Sequence, residues 1–243
     1  MLNAGNRRMM GFWARAGMVC AVLWFACACV RQVDDDIAEP LAPQPYGADE
    51  SNVELWLETM ELSSRELYAA RANVVAALGL SRGERIADVG AGTGLYSLLF
   101  ADAVGDAGVV FAVDIEPRFL SLINQRVADL DIDNVLSVLS REDDITLPPG
   151  SVDAVFIADT YHYFTDPEAV LASVQDALRH DGRLFVVDYE IPDEESTVAA
   201  RDHLRFGRDG MVEELESFGF KLVEEPSIEG LDEIYLLTFE KQF

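Results

Sequence analysis

The chain has 243 residues, enough for one domain or two, and half of them are hydrophobic, so a full-sized core is available. It carries 18 Lys and Arg against 44 Asp and Glu, which gives a formal net charge of −26 at pH 7. This balance opposes binding to nucleic acid or to an anionic membrane surface, because both reward clustered positive charge. We therefore expect an acidic, solvated surface and no nucleic-acid partner.

The first 29 residues have the pattern of an export signal. Three arginines precede an apolar run over residues 16–30, which is about as long as a signal-peptide core and short for a membrane span. The run ends in FACAC, which resembles the lipobox of bacterial lipoproteins. Cys29 fits the lipid-modified position, with Ala26 and Ala28 as the small residues before the cleavage site.

Residues 1–29 are therefore predicted to be a signal peptide or membrane anchor that places the protein on the periplasmic or another extracytoplasmic face of a membrane. Two alternatives stay open. One is an uncleaved signal anchor, and the other is a mis-called start codon, which would leave the protein in the cytoplasm. Residues 30–52 are acidic, contain three prolines and show no periodicity, so they are interpreted as a linker to a domain over residues 53–243.

The side chains best suited to bind metals are few in this chain. All three cysteines lie within the first thirty residues, so the rest of the chain can form neither a disulfide nor a cysteine-ligated metal site. The three histidines (His162, His180 and His203) show no metal-site spacing. We therefore predict no metal site.

The domain alternates predicted helices and strands. Residues 53–80 have helical periodicity, with Ser63 or Ser64 as a candidate cap for a second helix. Four further helices are predicted at residues 95–104, 116–130, 166–178 and 211–220. Seven apolar segments predict strands at residues 85–89, 108–114, 134–140, 153–159, 182–190, 221–226 and 234–241. This order predicts an α/β fold, with a doubly wound, mostly parallel seven-stranded sheet, helices on both faces and one antiparallel edge strand.

A glycine-rich turn, ADVGAGTGLYS at residues 87–97, joins the first strand to a helix. Such a turn lets a ligand approach bare backbone amides, at the strand ends where doubly wound sheets bind ligands. Asp114, at the end of the second strand, can accept hydrogen bonds from ribose hydroxyls. Leu95 occupies the third glycine position of the dinucleotide pattern, which disfavours a nicotinamide-dependent oxidoreductase.

With these motifs in order, residues 70–243 resemble the class I S-adenosylmethionine-dependent methyltransferases. In that family an acid and a glycine-rich turn surround the methionine part of the cofactor. A second acid binds the ribose, and the residue after it lies beside the adenine. The residues that the resemblance implies for cofactor binding are Asp88, Gly90, Gly92, Thr93, Gly94, Tyr96, Asp114 and Ile115.

Two further segments carry the resemblance. REDDITLP, at residues 141–148, is similar to the family's GDAxxLP segment, whose acid faces the adenine amine. Aligning the Leu-Pro pairs puts Asp143 at that position, with Asp144 as the alternative. His180 and Asp181 replace the usual Pro-Gly before the fifth strand, which we expect to alter a turn more than the cofactor pocket.

The candidate catalytic residues lie after the fourth strand, in the loop that borders the methyl group in this fold. They are Asp159, Tyr161 and His162. A neutral imidazole can accept a proton near pH 7, and Asp159 could orient it or hold an amine. Each residue also has a structural interpretation: His162 could pack under the following helix, Tyr161 could line a core, and Asp159 could cap a turn.

The resemblance predicts methyl transfer from S-adenosylmethionine to a small-molecule or lipid-like acceptor. The alternative is an exported, non-catalytic module that binds a nucleoside or S-adenosyl ligand. A charged stretch at residues 191–210 contains a basic cluster that could admit an acidic acceptor, although surface salt bridges are the favoured explanation. That cluster consists of Arg201, His203, Arg205 and Arg208.

Overall fold

The structure of the protein is a computed structural model that describes residues 53–190 and 207–242. The predicted leader, the linker and most of the charged stretch at residues 191–210 lie outside the described residues. The described residues belong to a unit that spans Ala42–Phe243. Within them, no helix combines the length and the hydrophobicity that crossing a bilayer requires.

The described residues form seven α-helices, seven β-strands and one short 3₁₀ helix. The α-helices are α1 (Val53–Met60), α2 (Glu66–Ala69), α3 (Arg71–Ala77), α4 (Leu95–Val104), α5 (Pro117–Asp129), α6 (Pro167–Ala177) and α7 (Arg208–Ser217). The strands are β1 (Arg85–Val89), β2 (Val109–Asp114), β3 (Val135–Leu139), β4 (Val152–Ala158), β5 (Leu178–Tyr189), β6 (Phe220–Glu224) and β7 (Ile234–Lys241). The 3₁₀ helix is Tyr161–Tyr163.

The strands form one sheet in the order β3-β2-β1-β4-β5-β7-β6. Strands β1 to β5 pair in parallel, and β7 pairs antiparallel with both β5 and β6. The predicted mostly parallel seven-stranded sheet is thereby confirmed. Its antiparallel strand, β7, lies one position inside the edge rather than at the edge itself.

Helices cover both faces of the sheet because side chains alternate along the buried strands. On β4, Phe156 points into the cluster that contains Phe100 of α4. Its neighbours Val155 and Ile157 point into the opposite cluster, with Leu171 of α6. Two cores of this kind are typical of parallel sheets, whose strands are buried on both sides.

Two helices begin where the sequence predicts a start. Pro117 is the first residue of α5, and the Glu116 carboxylate accepts a hydrogen bond from the Arg118 amide at 3.0 Å. The Asp166 carboxylate accepts from the Ala169 amide at 3.1 Å and caps α6.

The predicted cap by Ser63 or Ser64 is wrong. The residue before α2 is Arg65, which makes no capping side-chain bond. Its side chain instead reaches Asp159 at the end of β4. Capping patterns describe only local hydrogen bonds, so they could not anticipate this long-range ion pair.

The segment that holds His180 and Asp181 bulges out of β5. Val152 pairs with Leu178 and Ala154 pairs with Arg183, so residues 179–182 have no partners in β4. His180 Nδ1 lies 2.8 Å from the exposed Asp181 carboxylate. His180 and Asp181 are not among the residues that line the cavity at the strand ends, and their effect on the turn stays a prediction.

Candidate active site

A cavity of about 410 Å³ lies at the C-terminal ends of β1, β2 and β4. The strand order reverses between β1 and β4, and doubly wound sheets bind their ligands at this switch point. The volume falls within the roughly 300–1,000 Å³ of small-molecule sites. The walls include Val89, Gly90, Asp114, Ile115, Glu142, Thr160, Tyr163 and Phe164.

The glycine turn adopts backbone angles that favour glycine. Gly90, Gly92 and Gly94 have φ of 75°, 52° and 79°. Their surroundings exclude side chains as well, because a Cβ on Gly90 would lie 2.3 Å from the Thr160 side chain. A Cβ on Gly94 would lie 2.7 Å from Ile123. Packing thus disfavours a side chain at Gly90 and Gly94, and Gly90 also lines the cavity.

Asp114 holds the turn against β2. Its Oδ2 accepts a hydrogen bond from the Gly92 amide and its Oδ1 from the Glu116 amide, both at 2.8 Å. Burial raises the pKa of Asp114, and these two amides oppose the rise. Each carboxylate oxygen can accept a second hydrogen bond, so capacity for ribose hydroxyls is left. The half-exposed Ile115 beside it offers an apolar wall for a base.

Asp88 lies deeper, beneath the turn. It is 3% exposed, and its Oδ2 accepts a hydrogen bond from the Ser97 hydroxyl at 2.6 Å. Burial raises its pKa from 3.8 to about 7, and the Ser97 hydroxyl opposes that rise. Asp88 can therefore change charge near neutral pH, and a cationic ligand group nearby would favour its ionised form.

Two residues predicted to bind the cofactor are held in other contacts. Tyr96 is buried between Phe100 and Phe156, and its hydroxyl donates to the Leu67 carbonyl at 2.8 Å. Thr93 is buried and its carbonyl accepts from Arg126 at 2.8 Å. Neither is among the residues that line the cavity, and their contact with a cofactor stays a prediction.

The acid predicted to face the adenine also differs in position. Glu142 lines the cavity, whereas Asp143 is exposed and lies outside its walls. The Asp144 carboxylate accepts from the Thr146 amide at 2.7 Å and closes a local turn. The acid that lines the cavity is therefore Glu142, one position before the Asp143 that the Leu-Pro alignment favours. Sequence alignment alone could not resolve which of the three consecutive acids lines the cavity.

A buried polar cluster lies at the ends of β4 and β5. Nδ1 of His162 lies 2.9 and 3.0 Å from the two carboxylate oxygens of Asp188, and its Nε2 lies 3.9 Å from Asp159 Oδ1. Asp159 also forms an ion pair with Arg65, whose Nη2 is 3.4 Å from the Tyr189 hydroxyl. Burial raises the pKa of Asp159, while Arg65 and His162 oppose the rise. The structure thus brings the predicted pair Asp159 and His162 together.

Tyr161, the third predicted catalytic residue, points away from this cluster. Its side chain is 1% exposed, its hydroxyl donates to Glu214 at 2.7 Å, and its ring packs against Phe164. Tyr161 is therefore a core residue that anchors α7, and a catalytic role for it is not supported. Tyr163, two residues later, lines the cavity instead.

Sequence reasoning missed Arg65, Thr160 and Asp188. Asp188 could have been found from the sequence, because it is an acid at the end of an apolar strand and lies at the same edge of the sheet as Asp114. Arg65 had none, since 94 residues separate it from Asp159. Thr160 could not be found from the sequence, because its role comes from packing against Gly90 in the folded structure.

Residues 87–186 match the model of the methyltransferase domain family. The prediction of a methyltransferase with S-adenosylmethionine as its cofactor is confirmed at the level of this domain. Asp114, with free acceptor capacity beside an apolar wall, fits the ribose and base of that cofactor.

Sequence relatives include ubiquinone/menaquinone biosynthesis C-methyltransferases (UbiE). The chain is 30% identical to that of Psychromonas ingrahamii over 115 residues, which cover 47% of this chain and 46% of the relative. It is 27% identical to that of Pseudoalteromonas translucida over 137 residues, covering 56% and 55%. The chain thus spans about half the length of the relatives that it matches.

Solved structures share the fold of this methyltransferase domain. A SAM-dependent methyltransferase from Aquifex aeolicus aligns with a TM-score of 0.68 and 22% identity, over 77% of this chain and 97% of that one. A 1,6-didemethyltoxoflavin-N1-methyltransferase from Burkholderia thailandensis, with bound 1,6-didemethyltoxoflavin and S-adenosylhomocysteine, aligns with a TM-score of 0.58 and 22% identity. That alignment covers 76% of this chain and 82% of the other.

Proposed function

We propose that the protein transfers a methyl group from S-adenosylmethionine to a small-molecule or lipid-like acceptor. The observation that carries this proposal is that Gly90, Asp114 and Ile115 line one cavity at the switch point of the sheet. Asp114 would hold the ribose, Ile115 the adenine face, and the turn around Asp88 the methionine part. The bound cofactor supplies an activated methyl group, so the protein's task is to position the acceptor and to manage charge.

The first acceptors to test come from the relatives, which are named for C-methylation in ubiquinone and menaquinone biosynthesis. We propose a related acceptor for this chain: a quinone-type ring, in its reduced form, that is methylated on carbon. Reduced 1,4-naphthoquinone is a soluble probe of that class. The intact pair of Asp88 and Asp114 favours an enzyme over a non-catalytic binding module.

The test is methyl transfer by the full chain from S-adenosylmethionine with a deuterated methyl group. The acceptors would be reduced 1,4-naphthoquinone and a panel of phenols, amines and thiols. We expect a mass gain of one labelled methyl group on an acceptor, and its loss in Asp114→Asn. Binding of S-adenosylhomocysteine without transfer to any acceptor would favour the module, and no binding at all would contradict both functions.

A further inference from the structure

The side chains of Asp159, His162 and Asp188 differ in how much of their surface is exposed to solvent. The Asp159 side chain keeps 24% of its surface exposed and its ion-pair partner Arg65 keeps 25%. The side chains of His162 and Asp188 keep only 4% and 2%. A molecule that approaches the ends of β4 and β5 would therefore meet Asp159 and Arg65, with His162 and Asp188 behind them.

The hydrogen bonds favour one tautomer of His162. Two oxygens of Asp188 face Nδ1, so this nitrogen carries a proton, and Nε2 is directed toward Asp159. Asp188 is fixed in turn, because its Oδ1 also accepts from the Tyr189 amide at 2.9 Å. In this tautomer of neutral His162, the nitrogen that can take up a proton faces the exposed end of the cluster.

The cluster also has an imbalance of charge that one proton would remove. With a neutral imidazole, Asp159 and Asp188 carry two negative charges, and Arg65 supplies one positive charge. An excess buried charge is unfavourable in a low-dielectric interior, and one added proton makes the cluster neutral. A proton on His162 would therefore be balanced by the charges around it.

We propose that this cluster accepts the proton that the acceptor loses on methylation, an inference that rests on the proposed function. The acceptor's electron pair forms the bond to the methyl carbon, the carbon–sulfur bond breaks with its electrons on sulfur, and the acceptor proton leaves. Asp159 touches the acceptor and passes the proton to Nε2 of His162. Asp188 is a positioning residue that stabilises the imidazolium. The acceptor is accordingly one with an acidic C–H, O–H or ammonium N–H group.

The groups around His162 are compatible with this role. Arg65 and Tyr189 face Asp159 from the other side, and Tyr163 packs its ring 4.2 Å from the imidazole. Tyr235 of β7 lies opposite Asp188 in register. Burial raises the pKa of the Tyr235 hydroxyl, and the Asp188 charge adds to the rise, so Tyr235 stays neutral.

A metal ion is the competing occupant of the cluster. One ligand-type atom from each of Asp159, His162 and Asp188 lies within 4.8 Å of the others. However, Asp159 is engaged by the guanidinium of Arg65, and Nδ1 of His162 is engaged by Asp188. A cation held by all three residues would compete with Arg65 for Asp159 and would be repelled by the guanidinium charge, so the geometry favours a proton.

The first test reads the protons directly, without any acceptor. Long-range ¹H–¹⁵N spectra of the full chain, labelled at its three histidines, report which imidazole nitrogens are protonated. Glutamine substitutions at His180 and His203 complete the assignment. We expect the neutral form of His162 to be protonated at Nδ1, and this preference to weaken in Asp188→Asn. Protonation at Nε2 alone, or a His162 signal shifted by equimolar Zn²⁺, would overturn the proposal.

The second test is the pH dependence of kcat with the best acceptor found, for the wild type, Asp188→Asn and the matched control His180→Gln. Loss of the Asp188 charge disfavours the protonated imidazole. The acid limb of the profile should therefore differ from that of the wild type, and maximal kcat should fall about tenfold or more. The control, which alters an exposed histidine, should match the wild type. An unmoved limb with unchanged kcat would overturn the proposal.

Binding of S-adenosylhomocysteine by each variant separates this proposal from the proposed function. We expect Asp188→Asn and His162→Gln to bind it as the wild type does, because neither residue lines the cofactor cavity. If the wild type fails to bind, the proposed function fails, and the histidine spectra still decide the proton site. If binding is normal but the spectra disagree, only the proton-uptake proposal fails.

Discussion

At the scale of single residues, Asp88 links the site to stability. Its pKa is about 7 in the folded chain against 3.8 for an unperturbed carboxyl, because it is buried beneath the glycine turn. The folded state therefore binds the Asp88 proton more tightly than the unfolded state does. This contribution to stability is complete below about pH 4 and is lost as pH rises toward about 7.

The first prediction concerns Asp88→Asn. Between about pH 5 and about pH 8, the wild type should lose roughly 3 kcal/mol more of its free energy of unfolding than the variant does. Urea denaturation at the two pH values measures this difference. Asp102→Asn, on the exposed side of α4, is the matched control and should behave as the wild type. Equal pH dependence in wild type and Asp88→Asn would show that Asp88 is ionised throughout.

The second prediction separates two neighbouring acids. Glu142→Gln should weaken S-adenosylhomocysteine binding about fivefold, or by about 1 kcal/mol, because Glu142 lines the cavity. Asp143→Asn should leave binding unchanged, since Asp143 lies outside the walls. Fluorescence titration of both variants measures this. The reverse result would restore the assignment that the sequence pattern favours.

At this scale, the site residues that the sequence could predict were those that stand at the end of a predicted strand. Asp114 and Ile115 were predictable because they follow an apolar strand next to the glycine turn, and strand ends of a parallel sheet converge. Arg65 and Asp188 were not connected to His162 by any local pattern, since only the fold brings them together. The contacts of Tyr96 with Leu67 and of Tyr161 with Glu214 were not predictable, because sequence position does not tell which way an aromatic side chain points.

At the scale of elements, the glycine turn after β1 packs closely against the loop after β4. Gly90 has φ of 75°, and a Cβ there would meet Thr160 at 2.3 Å. Helix and strand positions in this region were predictable from apolar periodicity. The contact between the two loops was not, because it joins residues 70 positions apart in the chain.

The third prediction tests that contact. Gly90→Ala should lower the free energy of unfolding by about 2–5 kcal/mol, from left-handed backbone strain and overpacking against Thr160. Gly79→Ala is the matched control, because Gly79 has φ of 57° but no atom within 4 Å of an added Cβ, so about 1–2 kcal/mol is expected. Gly90→Ala with Thr160→Ala should recover part of the loss. Equal losses for Gly90→Ala and Gly79→Ala, measured by urea denaturation, would contradict the contact.

At the scale of the whole molecule, the leader and the methyltransferase domain favour different cellular locations. S-adenosylmethionine is made in the cytoplasm, whereas residues 1–29 have the pattern of an export signal. We propose that the protein is membrane-anchored through lipid on Cys29, with the acidic domain at an extracytoplasmic face. An exported enzyme would need a supply of cofactor, so the location decides where its acceptor is sought.

The fourth prediction addresses that location. Cells fed a radioactive fatty acid should label the wild-type chain in the membrane fraction and should not label Cys29→Ala. Cys20→Ala, which alters another leader cysteine, is the control and should keep the label. Absence of label from the wild type, with the chain in the cytoplasmic fraction, would favour a later start codon and a cytoplasmic enzyme.

The central claim is that the cavity beside Asp114 binds an S-adenosyl nucleoside. Calorimetric titration of the full chain with S-adenosylhomocysteine tests it most directly. We predict saturable binding of one ligand per chain, weakened about tenfold to a hundredfold in Asp114→Ala by loss of a charged hydrogen-bond acceptor. No heat of binding to the correctly folded wild type, or equal affinity in Asp114→Ala, would contradict the claim.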